Sequence, residues 1–125
     1  MFAYRWDCFL GLKDETDKEK PRALIRGADV VVDRYRPGVM EGLDFGRQAI
    51  FDFAKGRSRG IIVVRENCYG WHGSCAHRSG WQQISDACCG ISMSYGRATG
   101  NDEAVTPVFL NSDYCAGICG RVPLF

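Results

Sequence analysis

The stretch VTPVFLNSDYCAGICG holds one carboxylate, Asp113, between an apolar run, Val108 to Leu110, and a small-residue segment, Ala116 to Gly120. This is where a buried strand is expected to hand over to a helix. An aspartate at such a junction can accept hydrogen bonds from first-turn backbone N–H groups that have no partner inside the helix, and so serve as an N-cap. A second cluster, Cys68, His72, Cys75 and His77 in CYGWHGSCAH, offers zinc-type ligands. Its spacing lacks the close cysteine pair and the separate histidine pair of the common zinc modules, so no metal is expected there. Read alone, Arg34, Tyr35 and Arg36 in DRYRPG suit a solvated turn, because exposed arginine is commonplace.

These groups must be positioned by a chain of 125 residues, a length that suits one domain. With 16 Lys+Arg against 15 Asp+Glu and a formal net charge of +1, no broad surface attracts a polyanion, which argues against nucleic-acid binding. No run approaches the ~20 apolar residues of a membrane helix, and MFAYRWDCFLGLKDE turns acidic too soon for a secretory signal. The expectation is a soluble intracellular protein, cytoplasmic or organellar, without a membrane partner. The seven cysteines are odd in number and lie in apolar or glycine-rich stretches, as expected for reduced, often buried thiols.

The order of elements follows from hydrophobic spacing. Lys13 to Gly27 reads as a helix stopping at a glycine, with Pro21 expected near its first turn, since a proline deeper inside removes a bond and clashes. ADVVVDRY carries a continuous β-branched run, Leu43 to Lys55 repeats apolar residues at helical spacing before Gly56, and GIIVV (Gly60 to Val64) is a second buried-strand pattern. Helix, strand, helix, strand in that order is α/β, with Ala28 to Asp33 and Gly60 to Val64 as neighbouring parallel strands. Ligands of such folds favour the loops after the strands, here DRYRPG and RENCYGWHG. Trp81 to Tyr95 reads as one packed helix with Ile84, Ala87, Cys88, Ile91 and Tyr95 on its buried face.

The series ADVVVDRYRPGVMEGLDFG, GIIVVRENCYGWHG, HRSGWQQISDACCGISMSYGRATG and PVFLNSDYCAG resembles the class III CoA-transferase family, which also holds carnitine-CoA transferases and α-methylacyl-CoA racemases. RENCYGWHG and SGWQQISDACCG look most like a fungal branch. The resemblance covers about Lys13 to Gly120 in the family's order. It implies a parallel-sheet, Rossmann-like fragment of the class III CoA-transferase fold, incomplete at both ends, with residues 1–125 forming a partial domain. Full-length members are several times longer and homodimeric, so this chain alone is expected to transfer CoA poorly or not at all.

By the same match Asp113 takes the role of the family's catalytic aspartate, a nucleophile toward an acyl-CoA thioester, on a helix N-terminus that favours a carboxylate and a developing oxyanion. Arg34, Tyr35 and Arg36 match one CoA-contacting segment, where arginines flanking an aromatic ring suit phosphates and an adenine face. Tyr69, Gly70, Trp71, His72 and Gly73 match a second, where glycines let backbone approach the ligand. The implied substrates are an acyl-CoA and a carboxylic acid, with no permanently bound cofactor. The racemase branch pairs its aspartate with a histidine where this chain has Trp81 and Gln82, which leaves racemisation as the lesser alternative beside a non-catalytic α/β fragment.

Overall fold

The two β-branched runs become strands, β1 (Val30–Asp33) and β2 (Ile62–Arg65), paired with each other. The Ile62 N–H donates to the Asp29 carbonyl at 2.9 Å and the Glu66 N–H to the Asp33 carbonyl at 3.0 Å. Sequence separation is the same in both bonds, which is the pattern of parallel strands. The expected α/β order with neighbouring parallel strands is therefore present.

The computed structural model describes residues 7–109 and 111–121. The helices are α1 (Glu15–Gly27), α2 (Val39–Gly42), α3 (Arg47–Phe53), α4 (Gln82–Cys88), α5 (Ile91–Ala98) and α6 (Asn111–Arg121). They fall into two units: the described chain up to Val31 together with Gly38–Val63, and Val32–Pro37 together with the described chain from Val64 onward. Among the described residues no helix is long and apolar enough to cross a membrane.

In the first unit, Ile25, Phe45 and Ile50 are buried, with Leu12, Val31, Met40, Leu43, Phe53, Ile61 and Val63 packed on them. Phe45 meets Phe53 edge to face, ring centroids 6.0 Å apart. The helix expected over Leu43 to Lys55 is shorter, because Asp44 adopts φ 66° and turns the chain before α3 begins. Asp is one of the few residues that visits this left-handed region readily. Gly56 ends the segment with φ 80°, a conformation open to glycine at no steric cost.

Helix α1 is capped by Asp14, whose carboxylate accepts from the Thr16 N–H at 3.0 Å. Pro21 does not sit near the first turn as expected. It lies in the middle of α1, buried on the same face as Lys18 and Ile25. Apolar contact of the ring on the buried face offsets the backbone bond that proline cannot donate. Lys18 is buried beside it and reaches Glu15 at 2.6 Å and Asp44 at 2.7 Å, tying the left-handed turn to the helix.

In the second unit, the single helix expected over Trp81 to Tyr95 is two helices, α4 and α5, broken at Gly90 with φ 81°. The expected apolar stripe is also not the buried one: Ile84, Ala87, Cys88 and Ile91 are exposed and Tyr95 is half-buried, while Asp86, Ser92 and Gly96 are buried. Turning the chain at Gly90 breaks the helical phase, so a stripe read across the junction cannot stay on one face. Gly96 packs against the backbone of Glu103, where a Cβ would collide with the Glu103 carbonyl oxygen. The segment after α5 is held there by the Asn101 N–H on the Gly96 carbonyl at 2.9 Å and the Val105 N–H on the Ser92 carbonyl at 3.0 Å.

Two outcomes test this account of the first unit. Phe45→Ala is expected to lower unfolding stability by about 3–5 kcal/mol, read from denaturant midpoints, because it empties a fully buried ring site. Hydrogen bonding from Lys18 holds the Asp44 carboxyl below the usual carboxylate range, and hydrogen bonding to Asp44, then Glu15, holds the Lys18 ammonium above its usual range. Stability from Asp44 is thus present above the ordinary carboxylate range and lost as pH falls through its lowered value. Stability from Lys18 is present below the ordinary lysine range and lost as pH rises through its raised value. Lys18→Met should flatten both limbs of a stability-against-pH curve, and an unchanged curve would refute the pairing.

Candidate functional site

Asp113 is the third residue of α6 and is exposed. It is therefore not the N-cap that the sequence suggested, because the helix already begins at Asn111. Nor does a buried strand precede it: Val108 is 92% exposed and Phe109 63%, and Phe109 stacks on Tyr114 with ring centroids 5.1 Å apart. Leu110, the third residue of that apolar run, lies outside the described residues. Val108 and Phe109 stand in the open, so the apolar pattern alone did not make a strand of them.

Asp113 lines two clefts within the second unit. The first, about 570 Å³, is walled by Arg34 after β1, Glu66, Asn67 and Cys68 after β2, Trp81, Gln82, Gln83 and Ser85 around α4, and Ser112, Asp113 and Ala116 of α6. The second, about 550 Å³, shares Arg34, Glu66, Asp113 and Ala116 and adds Val32, Tyr114, Gly117, Ile118 and Arg121. The first cleft gathers several polar side chains around the carboxylate, and the second adds aliphatic and aromatic ones. The small Ala116 belongs to the wall common to both.

Strand geometry positions the polar wall. Asp33, the last residue of β1, is buried at 6% exposure and accepts from the Tyr35 N–H at 3.0 Å and from Arg65 Nε at 3.3 Å. This folds the backbone tightly after β1 and brings Arg34 to Glu66, Nε to Oε2, at 3.0 Å. Asn67 then turns the second loop, accepting from the Tyr69 N–H at 2.8 Å and donating to the Ala76 carbonyl at 2.9 Å. Two of the lining residues are bonded to a buried carboxylate: Asp86, 2% exposed, accepts from Gln82 Nε2 at 2.7 Å and from Ser112 Oγ at 2.8 Å.

Of the residues singled out in the sequence, Asp113 and Arg34 share both clefts. Tyr35 and Arg36 are exposed on the turn beside them and do not line either cleft. Neither do Tyr69, Gly70, Trp71, His72 and Gly73. Gly70 and Gly73 take φ 76° and 94°, so the second loop does use glycine's left-handed conformations. Trp71 lies under the Arg65 guanidinium, 4.8 Å from its ring centroid, and Tyr69 packs against Gly80. His72 and His77 are exposed.

Sequence reasoning passed over Glu66, Asn67, Asp86 and Ser112. Glu66 and Asn67 stand in the post-strand loop already marked as ligand territory. Asp86 was hidden by the apolar residues around it. Among the described residues no three His, Cys, Asp or Glu side chains gather as a metal set. All seven cysteines are free, yet none is buried as expected, five being exposed and two half-buried. Short helices with few fully buried apolar positions leave little interior for them.

The same architecture appears in solved structures. A hypothetical protein of Mycobacterium tuberculosis, Rv3272, superposes with a TM-score of 0.75 at 25% identity over 89% of this chain and 30% of its own. Residues 5–123 match CoA-transferase family III, and the chain belongs to that family. It is similar to the acetyl-coenzyme A transferase nodX of Hypoxylon pulicicidum, 63% identical over 116 residues, or 93% of this chain and 20% of that protein. An acyl-CoA transferase of Gibberella moniliformis is 40% identical over 87% of this chain and 20% of its own length. The acetyl-CoA:oxalate CoA-transferase of Acetobacter aceti is 35% identical over 89% of this chain and 28% of its own. The chain thus spans a fifth to just over a quarter of the curated relatives it matches.

The packing of Tyr69 yields a test of the second loop. Burial, ahead of the neighbouring Cys68, Cys88 and Cys75, pushes the Tyr69 phenol above the usual tyrosine range. A Cβ at Gly80 would come within 2.6 Å of the Tyr69 hydroxyl and 2.7 Å of its ring. Gly80→Ala should therefore displace the ring into solvent and bring its ionisation down to the ordinary range, read by alkaline absorbance titration with Tyr69→Phe as the reference. A titration that Gly80→Ala leaves unchanged would show that the ring is not held there.

Proposed function

We propose that this chain carries the acyl-transfer wall of a CoA-transferase, which moves CoA from an acyl-CoA to a carboxylic acid through Asp113. The observation that carries the reading is the placement of an exposed carboxylate in the first turn of α6, in the wall common to two clefts. Family membership supplies the reaction class. Two relatives are named for acetyl-CoA or acetyl-coenzyme A, and one of these for oxalate, which supports a short acyl donor and a carboxylate acceptor.

In the reaction, an Asp113 carboxylate oxygen attacks the thioester carbonyl carbon, the C–S bond breaks, and CoA thiolate leaves behind an aspartyl mixed anhydride. The thiolate then attacks the aspartyl carbonyl, which releases the first acid and leaves an aspartyl-CoA thioester. The incoming carboxylate attacks that thioester and displaces the thiolate, which next attacks the new acyl carbonyl to give the product acyl-CoA and regenerate Asp113. No electrons are gained or lost, and no proton need move.

Helix geometry leaves first-turn N–H groups of α6, those of Ser112 and Asp113, without an intrahelical partner, and these suit an oxygen on which charge develops. Arg34, Tyr35 and Arg36, with the loop from Tyr69 to Gly73, are the proposed contacts of CoA, the arginines toward phosphate. Trp81 and Gln82 line the first cleft while His72 and His77 do not, which favours transfer over an acid–base racemisation.

The test uses two forms: the 125-residue chain, and a chimera in which it replaces the matching segment of the Hypoxylon pulicicidum relative. Each is mixed with acetyl-CoA and quenched with hydroxylamine, which traps an acylated or thioesterified aspartate. Labelling is expected at Asp113 in the chimera and little or none in the 125-residue chain, with Asp113→Ala abolishing both label and turnover. An active form that keeps full turnover after Asp113→Ala would sink the nucleophile assignment.

A further inference from the structure

The buried carboxylate of Asp86 has no part in the reaction just described, yet it is bonded to the residue next to the nucleophile. Asp86 is 2% exposed, and both its oxygens are engaged: Oδ2 by Gln82 Nε2 at 2.7 Å and Oδ1 by Ser112 Oγ at 2.8 Å. Gln82 opens α4 and Ser112 stands in the first turn of α6, so the three side chains fasten one helix to the start of the other. The Gln82 amide is turned to serve the carboxylate even though its own Oε1 is left buried without a partner among the described residues. An unsatisfied buried acceptor is costly, so its presence marks how strongly the carboxylate dictates the arrangement.

We propose that Asp86 is a positioning residue: through Ser112 it fixes the rotation and seat of the first turn of α6, and thereby the direction in which Asp113 meets the clefts. A carboxylate suits this task because it is acceptor-only when ionised and so compels both neighbours to donate. Charge-assisted hydrogen bonds of this kind are shorter and stronger than neutral ones. The catalytic consequence rests on the nucleophile reading of Asp113, whereas the seating of the helix does not.

The unpaired Gln82 Oε1 makes the proposal specific. In Asp86→Asn, the new amide keeps an oxygen for Ser112 and offers its NH₂ to Gln82, whose amide need only rotate half a turn to present Oε1. Both links then close again, and the Gln82 amide keeps one unpaired end as it does in the parent. Asp86→Ala leaves both neighbours without an acceptor, and Ser112→Ala cuts the link to α6 while sparing the buried carboxylate.

Amide hydrogen exchange on the full 125-residue chain reads the seating directly. Asp86→Ala and Ser112→Ala should each speed exchange in the first turns of α6, Tyr114 to Gly117, by about 10-fold, the equivalent of one lost hydrogen bond, while α1 to α3 stay protected. Joining the two changes should add little, since they break the same link. Asp86→Asn should remain close to the parent. Unchanged exchange in α6, equal loosening of every helix, or an Asp86→Asn protein as loose as Asp86→Ala would each overturn the proposal. If Asp86→Ala does not fold, Ser112→Ala and Asp86→Asn still decide.

In whichever form acylates Asp113, the two alanine changes should cut the rate at saturating acetyl-CoA by about 100-fold with the half-saturating concentration little moved, since a displacement of about 1 Å suffices for such a loss. Asp86→Asn should restore the rate. If neither form acylates Asp113, the transfer reading fails, and hydrogen exchange alone still judges the role of Asp86.

Discussion

Parallel pairing of β1 with β2 is the constraint from which the site follows. Parallel neighbours point their carboxyl ends the same way, so the residues that leave both strands emerge side by side. Arg34 and Glu66 are the first residues beyond the two strands, and they meet as an ion pair that borders both clefts. A strand slipped by one residue would turn Asp33 out of its buried seat and exchange the faces of every side chain in the pair. Chemistry at this edge is therefore set by backbone register before any side chain is chosen.

What holds the parts in place is directed bonding more than bulk. Ile25, Phe45 and Ile50 form the buried hydrophobic core among the described residues, while Lys18, Asp33, Asp86 and Ser92 are buried as well. Three of these polar groups are charged, and each has its partners: Glu15 and Asp44 for Lys18, Arg65 and the Tyr35 N–H for Asp33, Gln82 and Ser112 for Asp86. Hydrogen bonds specify angle and distance where oily contacts specify only proximity. A frame of this kind trades insensitivity for precision, since removing one partner strands another in the interior.

The legible part of the sequence was the part governed by local patterns. Val30 to Val32 and Ile61 to Val64 are β-branched runs, and their identity as strands, their adjacency and their parallel sense could be read from them and the helical segment between. Arg34 and Asp113 were found through the family's motif order and do share the clefts. Asp86 was not found, because a carboxylate amid Ile84, Ala87 and Cys88 looks like the wet side of a helix, and only the fold shows those apolar residues in the open. The division at Gly90 had a local sign in the glycine itself, but the apolar spacing carried across it. Pro21 was misplaced by a rule about helix interiors that holds for hydrogen bonds and says nothing of burial. Val108 and Phe109 show the same limit from the other side, as a strand pattern whose side chains stand in the open.

The segment after α5 bears on how such a chain can change over time. Its composition, TGNDEAVTP, is that of a loop that tolerates insertions and invites proteases. Yet it lies flat on α5, bonded at Gly96 and at Ser92, with the Glu103 carbonyl resting where a side chain at position 96 would be. Lengthening or shortening it would tear at both attachments, so its apparent freedom is confined to the side chains that face outward. A stretch with no regular secondary structure thus evolves under the restrictions of a packed element, and the helix beneath it must keep its glycine for as long as the loop keeps its course.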